Sequence, residues 1–145
     1  MIINDLIKKY QHNSENGSFF LNKNESINKV VTKYKVPNSY GVYVIYSVLN
    51  NIEEIIYIGK SGTMNNDGSF KKQGIKQRLT KKQDGIARRE FFQNIILDKR
   101  FDKLKFSWIT TFDKNNKVIP MYCEADLIQT YYNDFKKLPL LNKSV

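Results

Sequence analysis

The chain reads as an α+β domain with a small, mainly antiparallel three-stranded sheet flanked by helices. Three observations predict it. Residues 40–48 and 52–60 are β-branched and aromatic runs joined by the polar turn Leu49-Asn50-Asn51, a hairpin signal. Residues 104–112 form a third run of the same kind. Apolar side chains recur at helical spacing in 86–99 and again in 121–135.

The other elements follow in order. Ile2, Ile3, Leu6, Ile7 and Tyr10 predict a short amphipathic helix that packs on the core or on a partner subunit. Residues 12–26 are polar around the island Phe19-Phe20-Leu21 and read as a loop with a small apolar anchor. A second short helix is expected over 25–34, stopped by Pro37-Asn38-Ser39. Residues 61–73 are dense in Gly, Asn, Ser and Asp and read as an exposed loop. A basic helix opens at Gly74. Pro120 starts the last helix, as proline favours helix starts, and 138–142 is an extended tail. The expected organisation is an N-terminal helical and loop extension, 1–38, followed by one domain, 39–145.

Composition narrows the chemistry. The 145 residues carry 24 Lys+Arg against 14 Asp+Glu, a net charge of +10. Such an excess serves solubility or a polyanion partner, nucleic acid first and an acidic membrane surface second. No stretch is apolar enough to span a bilayer. The N-terminus lacks a cationic segment followed by an apolar one, so a cytoplasmic protein is expected. Cys123 is the only cysteine and His12 the only histidine. That excludes an internal disulfide and a Cys/His zinc site within one chain, and leaves little room for a histidine-centred triad. Hydrolytic chemistry must then use Tyr, Lys, Arg, Glu, Asp and an oxygen-bound metal.

Three features bear on such chemistry. With Asn50 near the hairpin centre, Tyr43 falls opposite Tyr57 and Gly41 opposite Gly59. Two phenols then stand on one face, with glycines leaving room for a ligand backbone. Strand tyrosines are also commonly plain packing residues. In the basic helix, Ile75 and Leu79 face inward and Arg78 sits at their edge, placed for a bidentate phosphate contact or for a solvated face. In the last helix Glu124 shares a stripe with Leu127, Ile128, Tyr131 and Phe135, whereas Asp126 and Asp134 look like surface acids. An inward carboxylate must be paired, protonated or metal-bound. A salt bridge to Arg78 and a hard divalent cation are the two readings.

Gly41-Val42-Tyr43, Tyr57-Ile58-Gly59, Gly74-Ile75-Lys76-Gln77-Arg78-Leu79, Glu124 and Pro139-Leu140-Leu141-Asn142 together resemble the successive motifs of the GIY-YIG nuclease superfamily. The resemblance runs from about residue 40 to 142. It implies roles. Tyr43 is the general base that activates water, helped by Tyr57. Arg78 contacts the scissile phosphate, Glu124 holds one divalent metal, Mg²⁺ or Mn²⁺, and Asn142 supports the site by hydrogen bonds. A phenol of ordinary pKa ~10 needs nearby cations to act as a base at neutral pH. Three departures stand out. Lys82 occupies a position where many members carry His or another proton-transferring residue. The Tyr43–Tyr57 spacing is long, which implies an enlarged turn. The segment 61–73 looks like an insertion similar to those of the restriction-endonuclease branch.

Lys60, Lys71, Lys72, Lys76, Lys81 and Lys82 are expected around the cleft, with Gln77, Arg88 and Arg89 as further DNA contacts. Phosphate contacts of this kind give salt-dependent affinity without reading sequence. The expected function is a divalent-metal-dependent DNA endonuclease, in the form of a type II restriction enzyme. The segment 1–38 is short for a separate DNA-binding domain, and a homodimer matches a palindromic duplex site. The alternatives are a repair or mobile-element nuclease, an inactive DNA-binding module of the same fold, and a basic scaffold protein.

Overall fold

The computed structural model describes residues 2–71, 73–81 and 86–145. In chain order the elements are α1 (Ile2–Gln11), β1 (Asn16–Asn22), α2 (Ile27–Lys33), β2 (Tyr40–Leu49), β3 (Ile52–Ser61), β4 (Thr63–Met64) and β5 (Phe70–Lys71). They continue with α3 (Ile75–Thr80), α4 (Arg88–Lys99), β6 (Lys103–Phe112) and α5 (Pro120–Phe135). The protein is α+β, as expected, but its main sheet has four strands in the order β1-β6-β2-β3, each pair antiparallel.

The additional strand is β1, which the sequence presents as a loop. Its Asn, Gly and Ser residues are poor strand formers. The free edge of β6 overrides that preference by pairing with every residue from Asn16 to Asn22. Phe19 and Leu21 then point into the core, and Ser18, Phe20 and Asn22 point out, so the apolar island becomes the inward half of a strand.

Alternation along β2 builds two apolar layers. Tyr43 and Ile45 face a cluster with Ile27, Val31, Ile75, Leu79, Phe92 and Ile96, from α2, α3 and α4. Val42 and Val44 face Ile3 and Ile7 of α1 and Cys123 and Leu127 of α5. Helix α1 therefore packs on its own chain. The Ile3 backbone N–H donates to Asp134 Oδ2 at 2.9 Å, and the Tyr10 hydroxyl donates to Asp126 Oδ2 at 2.6 Å. The two acids expected at the surface thus tie α1 to α5. Cys123 is buried, and burial pushes its thiol up to about 12, which leaves it inert at neutral pH.

The hairpin register differs from the expected one. The turn is minimal, because Leu49 pairs with Ile52 and only Asn50 and Asn51 lie between them. Both have positive φ, 52° and 64°, the backbone of a tight two-residue turn that asparagine tolerates. The extra length is a β-bulge instead: Ile45 pairs with Tyr57 but Tyr46 with Ile55, leaving Ile56 unpaired. Tyr43 consequently faces Gly59, not Tyr57, and Gly41 faces Ser61.

The segment after β3 is also more ordered in pattern than a plain loop. Strands β4 and β5 pair as a small hairpin. Phe70 stacks on Tyr40 with centroids 4.2 Å apart and meets Phe112 edge-on at 4.9 Å. Among the described residues no helix is long and apolar enough to cross a membrane.

Candidate functional site

Strand β3 is the sheet edge away from β1, so its outer backbone groups need partners. The segment after α5 supplies them. Leu141 N–H donates to the Ile56 carbonyl at 2.8 Å. The Asn142 amide then pairs twice with Ile58: its Oδ1 accepts the Ile58 N–H at 3.0 Å and its Nδ2 donates to the Ile58 carbonyl at 2.9 Å. One side chain copies a strand neighbour and closes the edge beside Tyr57 and Gly59. Asn142 therefore fixes the β3 edge beside Tyr57.

The bulge decides how the two tyrosines meet. They remain on one face but are diagonal, with ring centroids 5.8 Å apart and planes tilted by 31°. Gly59 makes this possible. A Cβ there would lie 2.5 Å from Tyr57 Cε2 and 2.8 Å from the Tyr43 hydroxyl oxygen. A Cβ on Gly41 would strike the Ile109 carbonyl. The glycines admit rings and backbone of the protein itself, where the sequence suggested room for a ligand. We expect Gly59→Ala to lower unfolding stability by about 1–3 kcal/mol, the usual cost of overpacking. Denaturant melting measures it, and an unchanged midpoint would contradict the packing.

Tyr43 is closed off, with 2% of its surface exposed. Burial, and then the neighbouring Tyr57, hold its phenol well above its ordinary value; Arg78 and Arg88 act the other way but are outweighed. Among the protein's own described groups, burial outweighs the cations that would favour the Tyr43 phenolate. Tyr57 is half-buried and opens onto a cavity of about 180 Å³, shared with Lys60, Gly62, Thr63, Gln73, Arg78 and Glu124.

Three separate elements bring these groups together. Helix α3 carries Arg78 and is seated by the segment before β2. Asn38 Oδ1 accepts the Gln77 N–H at 3.2 Å, and the Ser39 and Pro37 carbonyls accept the Ile75 and Lys76 N–H groups. Pro37-Asn38-Ser39, read in the sequence as a helix stop, is thus also the cap of a later helix. Arg78 Nη1 donates to Gln73 Oε1 at 3.5 Å, its Nε is buried, and its guanidinium also bonds to the Tyr43 phenol. Arg78 also lines the cavity, and a guanidinium there suits an incoming anion.

Glu124 comes from the first turns of α5 and is half-buried at the rim of the apolar stripe, next to Cys123. Burial raises its carboxyl above the ordinary glutamate range, opposed by the charges of Lys60 and Arg78. Glu124 and Arg78 form no ion pair within bonding distance. Among those residues no group of three or more His, Cys, Asp and Glu side chains converges anywhere. A single carboxylate facing a small polar cavity fits a hydrated Mg²⁺, which keeps several waters and takes one or two carboxylates.

The remaining residues scatter. Lys60 lines the cavity, where its Nζ donates to the Gly62 carbonyl at 3.2 Å. Lys71 is exposed on β5, Gln77 is exposed on α3, and Lys76 is half-buried on α3. Arg88, expected on a DNA-facing surface, is 8% exposed: its Nε donates to the Lys81 carbonyl at 2.7 Å and its guanidinium lies over Phe91 and Phe92. Arg89 borders a different hollow, with Lys29 and Lys33 of α2. Lys72 and Lys82 lie outside the described residues. Asn38 and Gln73 are the structural contributors that the sequence did not assign to the site. Comparison with protein-family models, with curated proteins and with solved structures finds no match.

Proposed function

We propose that the protein is a divalent-metal-dependent DNA endonuclease of GIY-YIG type. The observation that carries this reading is the convergence of Tyr57, Lys60, Arg78 and Glu124 on one cavity from β3, α3 and α5. A phosphodiester needs a donor for its non-bridging oxygens, a group to take a proton from water, and a means to neutralise the added charge. The Arg78 guanidinium and the Lys60 ammonium serve the oxygens. Tyr57 faces the cavity and, as the phenolate, would take the proton of the attacking water. Glu124 would hold the metal, which when bound supplies charge neutralisation at the phosphate. Water attacks phosphorus, the P–O bond to the leaving nucleoside oxygen breaks, and that oxygen takes up a proton.

Within this reading we favour a cytoplasmic type II restriction enzyme acting on double-stranded DNA as a homodimer. The net charge of +10 supports a polyanionic substrate. The burial of Tyr43 favours one competitor, a DNA-binding module of the same fold without activity. Incubating the purified protein with plasmid separates them. Nicking or cutting with Mg²⁺ or Mn²⁺ and none in EDTA is expected. DNA binding with no cutting in either metal would overturn the enzyme reading, and discrete fragments as against a smear would report sequence specificity.

A further inference from the structure

A second, larger cavity adjoins the first. It holds about 480 Å³ between α4 and the 138–145 segment, and Tyr57 is a wall of both. Its character is different. Phe91 gives an aromatic side, Leu140 forms an apolar lip at 57% exposed, and Arg88 and Lys143 bring positive charge. No carboxylate lines it among the described residues. The volume is that of a site for a small organic molecule.

Aromatic faces joined to cations are the chemistry that takes an unstacked nucleobase and its phosphate. We propose that this pocket receives one unstacked nucleobase of the strand whose phosphate lies in the cavity of Arg78 and Glu124. The proposal rests on the nuclease reading for its substrate, and Tyr57 is the hinge between the two. One face of its surroundings meets the phosphate and the other meets the base. Taking a base out of a duplex costs unstacking and unpairing, so the pocket favours single-stranded, gapped or mismatched DNA. The Arg88 guanidinium is already held by the Lys81 carbonyl and the two phenylalanine rings. It therefore stands at the pocket wall in a fixed position, not as a mobile arm.

The test is done in EDTA, so that binding is read without cleavage. The probes are tetradeoxyadenylate and its fully abasic counterpart, which carries the same phosphates. The full chain should bind the base-bearing strand about tenfold more tightly, the scale of one base–aromatic stack. Phe91→Leu should bring that ratio close to one. Phe91 also packs against the core, so Leu140→Glu is tested beside it: this exposed site tolerates the change, and its carboxylate should likewise collapse the ratio. Equal affinity for the two strands in the wild-type protein would overturn the proposal, as would a ratio unmoved by Leu140→Glu. A protein that cuts plasmid without base preference loses only the pocket. One that prefers bases yet never cuts keeps the pocket and loses the nuclease reading.

Discussion

Glu124→Gln should reduce metal-dependent cleavage by roughly 10³-fold, the scale of several kcal/mol of charge stabilisation, while making the metal-free protein more stable at neutral pH. The second effect follows from the sign of the carboxyl shift. Burial raises Glu124 in the folded protein, so the folded state keeps a proton that the unfolded chain releases at ~4.3. Stability then declines as pH rises from the ordinary glutamate range through the raised value. Below that window both states are protonated and glutamine has no advantage. Above it the wild-type protein carries a half-buried charge and the variant does not.

Melting temperatures across pH in EDTA should therefore show the variant pulling ahead only as pH rises. Adding Mg²⁺ should stabilise the wild-type protein and leave the variant unmoved, because a ligand stabilises only the state that binds it. An advantage constant across pH, or cleavage surviving the substitution, would remove Glu124 as the metal-holding carboxylate.

Tyr57→Phe should lower the cleavage rate by roughly 10²–10⁴, the usual weight of a positioned proton acceptor. Tyr43→Phe should cost clearly less. The order inverts the one that the family resemblance implies, and the reason is geometric. Tyr57 opens onto the cavity of Arg78 and Glu124, whereas Tyr43 is sealed beneath it and burial keeps its phenol protonated. Single-turnover cleavage of one duplex by both variants decides the matter. A larger loss for Tyr43→Phe would mean that bound DNA and metal reorganise the pair and expose the inner phenol.

Much of this protein is legible in its residues because the signals are local. The periods of 40–48, 52–60 and 104–112 set strands, and those of 2–11 and 121–135 set helices, within a residue or two of the observed bounds. Tyr57, Arg78 and Glu124 line one cavity. Strand β1 was hidden because its pairing with β6 depends on a free edge some ninety positions along the chain, and its own residues argue for a loop. The acceptor roles of Asp126 and Asp134 were hidden because the docking of α1 supplies their donors.

The tyrosine pair shows the division most clearly. Residue types and their order by themselves determined that two phenols share one face beside glycines, upstream of an arginine helix and an inward glutamate. Only the tertiary structure decided which phenol reaches the cavity. A single bulge at Ile56 moved the register so that Tyr43 packs over Gly59, and it left Tyr57 at the open edge. Side-chain direction alternates residue by residue in a strand, so one unpaired residue, silent in the sequence, is enough to reassign the chemistry.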